Sequence, residues 1–195
     1  MARKGVLLRR EEIIDAMVEQ ISARGIAATR VADVASAMGV STGLIFYHFE
    51  TKEALLAAAF PRAMQHDMDD LAKIVARRSS AAARLNAVIK LYSPAGGAPG
   101  WRLWIDGWAA ALRDPGLVQA MRDIDNIWRT AVRDLIVEGN EASEFSCRNP
   151  EVSAARITAL LDGLAVQKVV RGAGPTPTER KRWIDEVLEF ELQAG

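Results

Sequence analysis

The chain predicts an all-α protein of about nine helices, and three observations carry that prediction. Apolar side chains recur with the 3.6-residue period of amphipathic helices along most of its 195 residues. No segment alternates apolar and polar residues long enough to read as a strand. Glycine, proline and short capping residues punctuate the periodic stretches at Ser93–Gly100, Asp114-Pro115-Gly116, Gly139–Pro150 and Gly172–Pro177.

Each element follows in order. In 9–24 the stripe Ile13, Ile14, Met17, Val18, Ile21 runs along one helix face, with Glu11, Glu12, Asp15 and Glu19 off it. Gly25 supplies the stop. Thr29 is placed to cap a short second helix through Val31, Val34, Ala35 and Met38, which ends at Gly39. Ser41 caps a third, 42–48. Thr51 opens a long fourth helix to about Arg78, with Pro61 inside it predicting a kink. Five more helices are expected at 80–92, 101–113, 116–138, 151–171 and 177–193.

Composition narrows the class. Half the residues are hydrophobic, enough to build a core. The single cysteine, Cys147, excludes an internal disulfide, so a reducing compartment is expected. There is no run of 18 apolar residues, and Met1-Ala2-Arg3-Lys4-Gly5 leads into charge and not into an apolar signal core. A cytoplasmic protein with no membrane partner is expected. The 25 basic and 25 acidic residues give zero formal net charge, which argues against a protein that coats nucleic acid. The charge is uneven, however. Residues 1–10 hold four bases (Arg3, Lys4, Arg9, Arg10) and no acid, while 11–57 hold seven acids and three bases.

The most informative stretch is Val31–Phe49. A short helix ends at Gly39, where a left-handed residue makes the turn. Val40 is placed to plug the crevice, Ala35 allows two helices to cross closely, and Ser41 starts the next helix. This is the layout of a helix-turn-helix whose second helix enters the DNA major groove. Ile45 and Phe49 should hold that helix to the core. Thr42, Gly43, Leu44, Tyr47 and His48 are expected to face outward. Ser41 and Thr42 sit at a helix N-terminus that favours a phosphate oxygen. Tyr47, His48 and Lys52 are candidates for phosphate contact, with Thr29 and Arg30 at the entry. Thr42 and Leu44 are the candidate base readers, Leu44 through a thymine methyl.

Residues Ala28–Leu56, above all Gly39-Val40-Ser41-Thr42-Gly43-Leu44-Ile45-Phe46-Tyr47-His48-Phe49 and Lys52-Glu53-Ala54-Leu55, closely resemble the TetR family of bacterial transcriptional regulators. The resemblance implies a dimeric, all-helical regulator, usually a repressor released from a palindromic double-stranded DNA operator by a small-molecule effector, with an activator on the same fold as the alternative. Two departures stand out. Phe46 replaces a usual tyrosine, and Arg30 stands where the family often places a capping Ser or Thr, leaving Thr29 to cap. Further on, Ala111–Leu117, Leu135–Gly139 with Glu144-Phe145, and Leu160–Leu164 are similar to the C-terminal half of the choline and betaine regulators of that family. A division into a DNA-binding part, 1–52, and a ligand-binding and dimerisation part, 53–195, follows.

Trp101, Trp104 and Trp108 fall on one face of a single helix, and Trp128 lies on the next. Aromatic walls can hold a quaternary ammonium by cation–π contact, with Asp106 or Asp125 as counter-charge. The alternative is that the four indoles fill the core. The helix 151–171 is apolar on more than one face (Val152, Ala155, Ile157, Ala159, Leu160, Leu164, Val166), so it needs both a core and a second subunit; helix 177–193 joins it in a homodimer contact. His66, Asp69 and Asp70 have metal-compatible i, i+3, i+4 spacing but read better as a solvated acidic face. Cys147 beside Arg148 is a weak candidate for a redox-sensing thiol. No phosphate-binding glycine loop and no nucleophile elbow is present, so neither a catalytic residue nor a cofactor is predicted.

Overall fold

A computed structural model describes residues 2–94, 99–172 and 174–192, with side chains from Arg9 onward apart from that of Pro99. Among them are ten helices and no strand. They are α1 (Ala2–Arg24), α2 (Val31–Met38), α3 (Thr42–Phe49), α4 (Lys52–Ala63), α5 (Gln65–Val75), α6 (Ala81–Tyr92), α7 (Pro99–Ala111), α8 (Pro115–Glu141), α9 (Pro150–Val169) and α10 (Pro177–Leu192). The all-α expectation holds. The tenth helix arises because the expected fourth helix is interrupted. Pro61 has no N–H to offer the carbonyl one turn back. The helix runs on to Ala63, ends at the buried Met64, and restarts at Gln65, so the break lies past the proline and not at it. The backbone of α1 begins seven residues before the expected Arg9. The side chains of Arg3 and Lys4, most of the Pro94–Gly100 loop, Ala173 and the expected helix end at Gln193 lie outside the described residues.

The chain divides into two compact units. The first comprises residues 1–66 and 102–124, the second 67–101 and 125–195. In the first unit α1 packs on α2 and α4, α2 on α3, and α3 on α4. Its core takes Ile13, Met17 and Ile21 from α1, Val34 and Ala35 from α2, Ile45 and Phe49 from α3, Leu55 and Phe60 from α4, and Leu117 and Met121 from α8. In the second unit α9 packs on α10. Its core includes Leu71, Ile74, Leu85, Val88, Trp128, Val132, Ile136, Ile157, Leu161, Leu164, Ile184 and Leu188.

Buried polar groups in the second unit are tied down. Arg84 donates to the Ser79 and Val75 carbonyls at 3.1 Å each and pairs with Glu138. Cys147 is buried, and its thiol donates to Ser153 Oγ at 3.2 Å. Ser153 in turn donates to Glu191 at 2.6 Å, and Arg156 closes the chain on the same carboxylate at 3.0 Å. Cys147 is therefore a packing residue, without the exposure a redox-sensing thiol requires.

Candidate DNA-binding and effector sites

The turn between α2 and α3 has the geometry its sequence requires. Gly39 sits at φ 66°, ψ 32°, a left-handed conformation that costs a side-chain-bearing residue free energy. Its N–H reaches Ser36 O at 3.2 Å and that of Val40 reaches Ala35 O at 3.0 Å, so the turn closes off the end of α2. Ser41 caps α3, its hydroxyl accepting from Leu44 N–H at 3.3 Å. Ile45 and Phe49 are buried, as expected. The outer surface of α3 carries Thr42, Gly43, Phe46 and Tyr47, with Leu44 and His48 half-buried. Tyr47 is 75% exposed and meets the His48 ring edge-on at 5.3 Å. Phe46, 43% exposed, offers more free apolar surface than Leu44. The sequence marks it only as the replacement of a usual tyrosine. No residue of α3 is acidic.

Three expectations at the entry to this motif need correction or refinement. Thr29 neither caps α2 nor faces DNA. It is fully buried, and its hydroxyl donates to the Gly25 carbonyl at 2.8 Å, sealing the end of α1. The N-cap position belongs to Arg30, whose N–H is accepted by Asp33 Oδ2 at 2.9 Å, so the acidic half of a capping box works without its usual Ser or Thr partner. The Arg30 side chain stays exposed. Lys52 is half-buried and its ammonium lies 3.4 Å from the Ile26 carbonyl, held at the foot of the motif. Of the early bases, Arg9 pairs with Glu12 at 2.7 Å and Arg10 lies 4.7 Å over the Phe49 ring.

The tryptophans fall into two groups. Trp104 and Trp108 belong to the first unit, where Trp104 meets Phe60 edge-on at 5.6 Å and Trp108 at 6.1 Å. This is packing. Asp106, expected as a counter-charge, is spent otherwise: its carboxylate accepts the Ile26 N–H in the α1–α2 loop, beside Gly25 at φ 82°. A single four-tryptophan cage is thus not what the described contacts build.

Trp101 and Trp128 belong to the second unit and share a neighbour the sequence did not flag, Tyr92. Its ring centroid lies 5.3 Å from that of Trp101 and 4.8 Å from that of Trp128, both edge-on. Trp101 Nε1 donates to the Tyr92 carbonyl at 2.9 Å. The Tyr92 hydroxyl donates to Asp162 Oδ1 at 2.9 Å. Burial pushes the Asp162 carboxyl up to about 6; the tyrosine hydrogen bond works against the rise and the Asp125 charge adds to it. Burial, then Asp162, also raises the Tyr92 hydroxyl far above its usual range. Asp125, paired with Arg129 at 3.6 Å, is the one expected counter-charge whose field reaches this cluster. Among the described residues Asp162 forms no ion pair with a cation of this chain.

His66, Asp69 and Asp70 all lie on α5, and among the described residues no group of three or more His, Cys, Asp or Glu side chains could hold a metal ion. The metal-binding alternative has no support. No helix among the described residues is long and apolar enough to cross a membrane.

Residues 13–59 match the bacterial regulatory proteins of the tetR family, and residues 81–193 match the C-terminal part of BetI-type transcriptional repressors. The HTH-type transcriptional regulator BetI of Burkholderia mallei is 29% identical over 176 residues, 85% of this chain and 84% of that protein. A transcriptional regulator of Saccharomonospora viridis, solved in complex with choline, has the same fold at a TM-score of 0.79 and 24% identity, covering 94% of this chain and 97% of that one. A TetR regulator of Haloarcula marismortui superposes at 0.80 with 19% identity, over 94% and 98% of the two chains. With the reading helix on α3 and a BetI-type C-terminal half, this chain belongs to the TetR family and is a DNA-binding transcriptional regulator of the repressor type.

Proposed function

We propose that the protein is a cytoplasmic homodimer that holds a palindromic operator through its two α3 helices and releases it when a quaternary ammonium compound binds in the second unit. Residues 1–52 serve as the DNA-reading part and 53–195 as the effector and dimer part. Two α3 helices would enter successive major grooves about 34–36 Å apart. Ser41, Thr42, Gly43, Tyr47, His48, Arg30 and Lys52 supply the backbone contacts, while Thr42, Leu44 and the exposed Phe46 meet base edges. The dimer forms through α9 and α10, which leave Val152, Val170, Trp183 and Phe190 open to solvent in the single chain.

The observation that carries the effector reading is the Asp162 carboxylate. It is largely buried beside Tyr92, held by that hydroxyl and, among the described residues, by no cation, with Trp101 and Trp128 packed on the same ring. A buried negative charge without a positive partner is costly, and a cation among aromatic faces would offset that cost. The Saccharomonospora viridis regulator was solved with choline, which supports the same ligand class. The test is binding of the purified protein to a labelled palindrome from its own promoter region. Choline should release the DNA at millimolar level or below, and Trp101→Ala should abolish the release. The reading fails if choline leaves DNA affinity, tryptophan fluorescence and melting temperature all unchanged.

A further inference from the structure

A further feature of the second unit lies between α6 and α10. A cavity of about 660 Å³ opens there, within the range that small organic ligands fill. Its apolar wall is Ile89, Ile184 and Leu188, and its polar side carries Lys90, Arg180 and Lys181. Arg180, Ile184 and Leu188 follow one another at i, i+4, i+8, so a single face of α10 presents both the charge and the apolar surface. Trp183 and Phe190, which the dimer needs, lie on another face of that helix.

The charge at this cavity is one-sided. Lys181 is paired with Asp185, but among the described residues neither Lys90 nor Arg180 has a carboxylate partner. An adjoining cavity of about 240 Å³ shares Arg180 and adds Lys168. The Lys168 ammonium is pushed below its ordinary value, first by loss of solvent and then by the Arg180 guanidinium. Lys168 and Arg180 therefore repel one another, and the larger cavity supplies one carboxylate, Asp185. A guanidinium and an ammonium at the mouth of an apolar cleft suit an acidic head with an apolar tail.

We infer that the cavity between α6 and α10 binds an amphipathic organic anion, its carboxylate on Arg180 and Lys90 and its alkyl chain along Ile89, Ile184 and Leu188. The site shares no lining residue with the Tyr92–Asp162 cluster, so it stands or falls separately from the quaternary ammonium site.

Calorimetric titration of the full chain with sodium decanoate tests this, with 1-decanol and decyltrimethylammonium as controls. Decanoate should bind saturably, and the two controls about tenfold more weakly or worse, as the loss of one charge-assisted hydrogen bond would give. Arg180→Gln and the double change Lys90→Glu with Arg180→Glu should each weaken decanoate by about tenfold or more. Trp101→Ala should leave decanoate affinity unchanged, and Arg180→Gln should leave choline-driven DNA release intact. Absence of saturable decanoate binding, affinity equal to that of decanol, indifference to Arg180→Gln, or loss on Trp101→Ala each overturns the inference.

Discussion

Asp162 shows how one side chain sets a measurable property. Its carboxyl titrates at about 6, above the ordinary 3.8, because burial disfavours the charge. The folded state therefore holds that proton more tightly than the unfolded chain does. The stability this group contributes is fully present below pH 3.8 and is lost as pH rises through about 6. Asp162→Asn should accordingly be more resistant to urea than the native protein at pH 8, with the gap closing toward pH 4. Choline affinity, which needs the ionised form, should fall as pH drops below about 6 and should be weak in Asp162→Asn at every pH. Neither partner of this pair was legible in advance. Tyr92 and Asp162 are 70 positions apart, and no helical period links them. Thr29 and Asp106 misled for the converse reason: each looked available, and each is consumed by the loop after α1, Thr29 on Gly25 and Asp106 on Ile26.

At the scale of the element, local rules were reliable wherever the determinant was local. Gly25, Gly39, Ser41 and Thr51 end or start helices at the positions their chemistry favours, and Ile45 and Phe49 point inward from α3. The long fourth helix was less legible, because proline shows where a hydrogen bond is missing but packing decides where the backbone turns; here Met64 takes the break. Gly39 offers a clean test of the turn. A Cβ there would meet nothing within 4 Å, so Gly39→Ala adds left-handed strain alone. It should cost about 1–2 kcal/mol in chemical denaturation and lower operator affinity without changing which operator is preferred. A base reader altered instead would shift the preference.

The whole molecule carries two features that single residues do not. One is the apolar surface left on α9 and α10, with Phe190 at 70% exposed and Val170 at 59%. Phe190→Glu should shift the protein toward monomer in sedimentation velocity and weaken operator binding, since each half-site alone gives little. The other is zero net charge, read first as an objection to nucleic acid. Among the described early bases Arg9 is engaged by Glu12 and Arg10 lies on Phe49, and in the proposed dimer discrimination would rest on two α3 helices fitting together.

Helix α7 carries Trp101, part of the ring cluster, and five residues later Asp106, which grips the loop entering the reading motif. That is about 7.5 Å along the helix axis. Where choline and operator oppose each other, thermodynamic reciprocity makes the coupling two-way. Operator DNA should lower choline affinity by the same factor by which choline lowers operator affinity. Titrating choline into the protein with and without saturating operator measures both factors. If that reciprocity is measured, the effector threshold rises where operator copies are abundant.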